Sequence, residues 1–574
     1  MTDTGHLSQL APVASPAAGA PSDVSMFAGQ VRYSMRSFWR TPIAAFFTLL
    51  FPLSFLVVVC AIAGNEVIDS RSGVRVAQFL TPVFAVFGAC MAAFVSLALG
   101  VAYAREAGVL KRLRSTPLPS WIHLAGRVGT AVLVSLIAIA VVTAVGVVLY
   151  DVDIVWSKLP AVLVTLVIGV ACFAALGLAV VSLTRTPGAT QAVANGGLIL
   201  LAFVSDVFVV KVPDWLDSAA WLFPLKPFVN AVADGFNPFL PGNGFQWDHL
   251  GALIAWGVVG ALIALRYFTW EPTPARVGRR HRDKVPEPTP DETAIVEPEV
   301  PTEPAATAVP TTLSATVDVG AKSWASLALD QTKFTTVKLL RDPLSVFFAI
   351  AFPLILLVFF SATYGREATW NGLPLPQYMA AVFSVYGVAV MAYVNLSSLV
   401  AEDRSRRVLK RLRGTPLPSG AYLAGRIGAA VVLGALTIVL VFGVGAILFG
   451  VRVGLVPLVL TALVFAVIIA SMTALGLLIV SLVESPQSVT AVALATLLPL
   501  SMISDIFISA PKLPTVMSAI GWAFPLRHMA NAAVTVSSGG ALDLLLLGHI
   551  GVIALWGVVA ALLAARLFRW EPRS

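Results

Sequence analysis

Leu110-Lys-Arg-Leu-Arg-Ser-Thr-Pro-Leu-Pro119 and Leu409-Lys-Arg-Leu-Arg-Gly-Thr-Pro-Leu-Pro418 are nearly the same ten residues, written twice about 300 positions apart. Outward from this pair the matches continue in order. Arg40-Thr41-Pro42 answers Arg341-Asp342-Pro343, and Phe51-Pro52 answers Phe352-Pro353. Ala125-Gly126-Arg127 answers Ala424-Gly425-Arg426, and Ser205-Asp206 answers Ser504-Asp505. Phe223-Pro224-Leu225 answers Phe524-Pro525-Leu526, Asn230 answers Asn531, and Trp-Glu-Pro closes each half at 270–272 and 570–572. So long an ordered series is a duplication.

Between these landmarks the chain is apolar. Of its 574 residues 58% are hydrophobic and 12% charged, with a mean hydropathy of +0.88. A soluble domain is about 25% charged, so the bilayer is the solvent for much of this chain. A spanning helix needs about 20 apolar residues. Such runs fall near 43–63, 79–103, 122–149, 159–183, 190–210 and 248–269, then near 344–363, 378–401, 421–449, 456–482, 488–509 and 543–568. The fold class that follows is an all-α polytopic membrane protein of two six-helix repeats, about twelve spans in all. An even number of spans per repeat makes the two halves parallel.

The net charge of +8 is carried by clusters at the ends of apolar runs. They are Arg32, Arg36 and Arg40 before the first span, Arg105, Lys111, Arg112 and Arg114 after the second, Arg185 after the fourth, and Arg276 to Lys284 after the sixth. That pattern argues against a nucleic-acid surface and places both termini in the cytoplasm. The domain boundaries expected are a disordered tail at 1–25, a first repeat at 26–272, a Pro-, Glu- and Thr-rich tether at 273–321 and a second repeat at 322–574. Residues 1–25 lack the pattern of a cleaved signal peptide, so the first span is expected to direct insertion. Cys60, Cys90 and Cys172 lie in apolar runs without metal-ligand spacing and read as apolar packing.

Three features recur in both halves beyond what crossing a membrane requires. The first is an amphipathic stretch ahead of each first span, with Arg32, Arg36 and Arg40 in one copy and Lys338 and Arg341 in the other. It suits a helix lying in the membrane interface, as an anchor or as a contact for a partner. The second is the short basic helix Val109–Arg114 and its copy Val408–Arg413, each stopped by Thr-Pro-Leu-Pro. Topogenic charge explains the basic residues but not the repeated turn, which favours a docking knob. The third is an apolar segment at 211–247 and 510–542, broken by Pro into two short pieces that dip back toward the membrane. It serves as a lid or as an interfacial cap.

Within spans the polar residues are Asn195, Asp206, Asn395 and Asp505, with Glu402 and Asp403 at an inner end. The asparagines suit interhelical hydrogen bonds, and the two aspartates near helix ends suit capping. The sequence holds no Gly-x-x-x-x-Gly-Lys-Ser/Thr loop and no His-Glu-x-x-His. If ATP powers this protein, another polypeptide hydrolyses it.

Taken together, these features resemble the ABC-2 type of ABC transporter permease, over nearly all of both halves. The resemblance rests on Arg-x-Pro, Phe-Pro, the Leu-Lys-Arg-Leu-Arg-x-Thr-Pro-Leu-Pro run, Ala-Leu-Gly-Leu at 175–178 and 474–477, and Phe-Pro-Leu before the sixth span. It implies that one polypeptide supplies the whole membrane dimer of an exporter. The chain itself would bind no cofactor; ATP and Mg would sit on a partner ATP-binding cassette subunit, expected in two copies. The basic loop would be the coupling helix, which assigns Glu106, Lys111, Arg112, Arg114, Glu402, Lys410, Arg411 and Arg413 to the ATPase contact. The entry to that loop differs, Arg105-Glu106 against Glu402-Asp403-Arg404, so the halves are expected to couple unequally.

The chain most resembles the actinobacterial antibiotic and multidrug exporters, including the tetronasin and daunorubicin types. This implies a hydrophobic small-molecule substrate and a pathway touching Phe47, Phe84, Phe87, Met91, Asn195 and Asp206 in one half. Phe383, Met391, Asn395 and Asp505 are their candidates in the other; plain packing is the alternative for the aromatic and methionine residues. The rival reading is an ion-coupled transporter of the major facilitator type, which also has two parallel six-helix halves. Asp403-Arg404-Ser405-Arg406-Arg407 only partly echoes the corresponding loop of that family.

Overall fold

The structure, a computed structural model, describes residues 22–63, 65–67, 73–114, 119–208, 213–269, 323–365, 368–370, 372–507, 513–540 and 542–568. Residues 1–21 of the expected tail, the whole tether at 273–321, the turn residues 115–118 and both Trp-Glu-Pro ends lie outside the described residues.

The first repeat runs α1 (Asp23–Trp39), α2 (42–63), α3 (Val76–Glu106), α4 (Val109–Arg114), α5 (Ser120–Tyr150), α6 (Leu159–Leu183), α7 (Pro187–Val204), α8 (Asp214–Ala220), α9 (Leu225–Phe236) and α10 (Trp247–Tyr267). The second reproduces it as α11 (Trp324–Leu340), α12 (Pro343–Tyr364), α13 (Leu375–Ser405), α14 (Val408–Arg413), α15 (Ser419–Phe449), α16 (Leu455–Leu482), α17 (Pro486–Ile503), α18 (Thr515–Ala523), α19 (Pro525–Ser537) and α20 (Leu544–Leu567). Eleven of these are long and apolar enough to cross a membrane; the place of the twelfth, in α2, holds the shorter apolar helix Phe46–Ile62. Strand pairing among the described residues is confined to the connections between first and second spans, a two-residue pairing of Thr369–Trp370 with Leu373–Pro374 and a bridge from Val67 to Arg75.

Helix starts follow local chemistry. Ser22 and Ser323 cap α1 and α11 by accepting from the amides of Ser25 and Ser326. Thr186 and Ser485 do the same for α7 and α17, each followed by proline at the first helical position.

Sequence periodicity does not foretell the helix irregularities. Residues Phe46–Leu50 and Phe347–Ala351 are π-helical, as are Met91–Ser96 and Val390–Asn395, so both repeats bulge at the same two places. The first bulge has a cause in the Phe-Pro pair. Pro52 and Pro353 have no amide to give, which leaves the carbonyls of Thr48 and Ala349 without their usual helical partner. The Ala349 carbonyl accepts from Thr437 Oγ1 at 3.3 Å. A Cβ on Gly387 would sit 2.7 Å from the same oxygen, and one on Gly88 3.0 Å from that of Thr48.

The second bulge explains Ala-Leu-Gly-Leu. A Cβ on Gly177 would stand 2.7 Å from the Phe94 carbonyl, and one on Gly476 2.9 Å from that of Ala392. Here α6 crosses α3, and α16 crosses α13, backbone against backbone, which only glycine permits. The segments α1 and α11 pack on glycines of α5 and α15 in the same manner: a Cβ on Gly126 would collide with Gln30, and one on Gly425 with Gln331. The amphipathic stretches are therefore docked helices, whose outer face carries exposed Trp39 in one copy and Trp324, Phe334 and Leu340 in the other.

The Pro-broken segments form α8–α9 and α18–α19. The second helix of each pair is wedged into the bundle: Phe228 of α9 is fully buried and stacks on Phe173 of α6 at 5.9 Å. The two repeats meet through their first and fifth long helices, α2 against α17 and α12 against α7. Phe203 of α7 reaches Phe352, Phe359 and Phe360 of α12 with ring centroids 6.1, 5.4 and 6.2 Å away.

Candidate functional site

Between the repeats lies a cavity of about 1540 Å³ lined by both. One end opens beside the basic helices α4 and α14, where its lining includes exposed Tyr103 and Arg406. The other end is aromatic. Phe208 stands 5.0 Å from Phe55 and 5.0 Å from Phe203, Tyr386 stands 5.0 Å from Phe507, and Phe203 carries the contact across to α12. These rings pack on one another at that end and join the two repeats by burial of apolar surface.

Of the residues proposed for a pathway, Phe47, Phe84, Met91, Asn195 and Asn395 line the cavity. Asn395 donates to the Ser345 carbonyl at 3.3 Å. Phe87, Phe383 and Met391 lie behind the wall. Phe208 covers Phe87 at 5.3 Å and Phe360 covers Phe383 at 6.0 Å. Met391, next to the lining residue Val390, is buried in the helix packing. Asp206 and Asp505 are also outside it. Each follows a fifth long helix in left-handed backbone, φ 61° and 60°. Asp206 takes Lys226 at 3.2 Å and Asn230 at 3.1 Å, while Asp505 takes Arg527 at 2.8 Å. They tie α9 and α19 to the ends of α7 and α17. Nearby, burial pushes the Asp234 carboxyl above the usual carboxylate range, against the lowering effect of His249 and Lys158.

The loop helices share one design. Leu110 and Leu409 are fully buried, while Lys111, Arg112, Lys410 and Arg411 are exposed. Val109 and Leu113 line the cavity mouth, so α4 has one face on the cavity and a basic face away from the bundle. The residue before each helix is left-handed: Gly108 at φ +67° and Arg407 at φ 56°. Arg114 and Arg413 close these helices. Behind them, buried Arg105 donates to the carbonyls of Val181 at 2.9 Å and Thr184 at 2.6 Å. Arg404 repeats this on Val480 and Val483. Each arginine satisfies orphan carbonyls at the end of a fourth span and so fixes the loop to the bundle.

Glu106 and Glu402 are not equivalent. Register places Ser405 opposite Glu106 and Tyr103 opposite Glu402. Glu106 is exposed; Glu402 pairs with Arg406 at 2.8 Å and Lys338 at 3.9 Å. Lys338, expected on the interfacial face, thus turns inward, whereas Arg32, Arg36, Arg40 and Arg341 are exposed. Beside it is a buried network with no local mark in the sequence. Asp403 accepts from Arg426 at 2.7 Å, Lys338 at 3.1 Å and Tyr422 at 3.2 Å, and Arg426 also donates to Thr335 and lies 4.5 Å from the Tyr422 ring. The Ala-Gly-Arg repeat contained this arginine, but nothing local marked its partner 23 residues earlier.

The ABC-2 type transporter family model matches residues 30–237 and 332–536, one stretch in each repeat and together more than half of the chain. No curated protein matches the chain.

Proposed function

This chain belongs to the ABC-2 type transporter family, and on that premise we propose that it is the complete membrane permease of an ATP-driven exporter for hydrophobic small molecules. The observation that carries the reading is the cavity, walled by both repeats, with the basic loop helices beside one end and packed aromatic rings at the other. The basic end faces the cytoplasm of a bacterial cell and both termini lie there. Two copies of an ATP-binding cassette ATPase dock on α4 and α14 through Lys111, Arg112, Lys410 and Arg411, with Arg114, Arg413, Glu106 and Glu402 at the margin. ATP and Mg are bound by that partner.

Support for coupling comes from Val109 and Leu113, which put the docking helix directly against the cavity mouth. Arg105 and Arg404 make each loop move with its repeat. Closing the ATPase dimer would draw the basic ends together and part the far rings, releasing the substrate outward. Antibiotics and other drugs are the substrate class proposed.

Purification of the chain from its native membrane in gentle detergent tests this. Two phosphate-loop ATPase copies per chain, lost on reversing Lys111, Arg112, Lys410 and Arg411 to Glu, are the expected result. A chain that comes down alone and moves substrate on a proton gradient would overturn the proposal in favour of an ion-coupled transporter.

A further inference from the structure

We propose that the substrate is an amphipathic organic anion, whose negative group is held by Arg127 on the wall of the first repeat while its apolar body occupies the aromatic end of the cavity. The inference deepens the permease reading and rests on it.

The two repeats carry the same arginine in opposite electrostatic settings. In the second, Arg426 is neutralised by Asp403, and its surroundings are completed by Tyr422, Thr335 and Lys338. In the first, register places Ala104 where Asp403 stands, His123 for Tyr422, Ser34 for Thr335, Ser37 for Lys338 and Tyr103 for Glu402. Every charge around Arg426 has a neutral counterpart around Arg127. Among the described residues Arg127 retains one hydrogen bond, from its Nε to His123 Nε2 at 3.2 Å. That ring's Nδ1 is 3.1 Å from the Gln30 amide oxygen. With Nε2 accepting from Arg127, His123 is a neutral hydrogen-bond partner, and an imidazole in either protonation state carries no negative charge to offset the guanidinium. Among the described residues, no carboxylate lies within ion-pair distance of Arg127.

Arg127, His123 and their neutral neighbours Ser34, Ser37 and Tyr103 all line the cavity. The acidic residues of the lining, Asp342 and Glu402, both belong to the second repeat. There Glu402 is engaged by Arg406 and Lys338, and Asp342 caps its helix through the Ser345 amide. The first wall therefore presents a partly buried guanidinium without a counter-ion, bordered by hydroxyls. A charge in such a place is costly unless something pairs with it. Its planar donor fork fits a carboxylate or similar oxyanion.

The test uses the full chain in nanodiscs of phosphatidylcholine, with a pyrene-labelled dodecanoate and its uncharged primary amide as probes. Binding read by fluorescence needs no ATPase. The carboxylate should bind more tightly than the amide by about tenfold to a hundredfold, the worth of one charge-assisted hydrogen-bonded pair. Arg127→Gln should bring the carboxylate to the amide's affinity, and Arg127→Lys should keep part of the preference. Ala104→Asp, which rebuilds the carboxylate of the second repeat beside Arg127, should abolish the preference without removing the arginine. Equal binding of the two probes by the native chain, or a preference untouched by Arg127→Gln and Ala104→Asp, would overturn the proposal. Nanodiscs containing phosphatidylglycerol separate two sources of the anion: competition with the probe points to a lipid headgroup, its absence to a soluble amphiphile, and either agrees with an anion site. ATP-dependent release of the amide by the chain with its ATPase would show the permease reading standing even if the anion preference fails.

Discussion

Removing the Asp403 carboxylate should damage the protein far more than its neighbours' substitution, and the damage should be recoverable. Asp403 and Arg426 are nearly inaccessible, with side-chain exposures of 5% and 3%, and lie 2.7 Å apart. Asp403→Ala leaves Arg426 buried without a counter-charge, for which the expected cost is about 3–5 kcal/mol. Arg426→Met alone should cost less, because Lys338 remains 3.1 Å from the carboxylate. The double variant Asp403→Ala/Arg426→Met removes both charges and should return close to native stability, giving a coupling energy at least as large as the cost of Asp403→Ala, about 3–5 kcal/mol. Unfolding titrations with SDS in mixed micelles, monitored by tryptophan fluorescence, provide the four corners of this cycle. A cost for Asp403→Ala below about 1 kcal/mol would refute the reasoning, as would a double variant that loses the sum of the two singles. Either result would mean that water or lipid headgroups reach this pair.

Gly177→Ala and Gly476→Ala should each destabilise by about 1–3 kcal/mol, since the added methyl meets backbone carbonyls at 2.7 and 2.9 Å; Gly197→Ala, with nothing within 4 Å, is the matched control in the same titration. Phe203→Ala should make proteoliposomes leaky to small solutes, measured by dye efflux without ATP, because Phe203 carries the ring contacts between the repeats at the cavity's aromatic end; Phe203→Leu should hold the dye. Gly108→Ala should cost about 1 kcal/mol at its φ of +67°, whereas Arg407→Gly, at the same place in the other repeat, should be neutral or slightly stabilising by the same assay.

Much of the fold was legible from local signals. Span positions, the duplication and the broken segments follow from apolar runs and proline, which act within a few residues. The candidate site was legible only in part. Phe84, Met91, Asn195 and Asn395 could be nominated as uncommon or adaptable groups in spans, and they reach the cavity. Phe87 and Phe383 look the same in sequence, yet Phe208 and Phe360 from other helices cover them. Lys338 reads as an interfacial cation, but its Nζ finds Asp403, 65 residues away.

The sequence by itself determined that this is a duplicated helical membrane protein with a basic helix halted by Thr-Pro-Leu-Pro in each half, because hydropathy, proline and charge clustering are properties of contiguous residues. Tertiary structure alone decided which faces of those helices meet across the repeats, where the π-helical bulges pass glycine, and that Arg426 is neutralised by a carboxylate while Arg127 faces the cavity with no carboxylate beside it among the described residues. Those outcomes depend on helix rotation and crossing, and they bring together groups whose separation along the chain carries no pattern of its own.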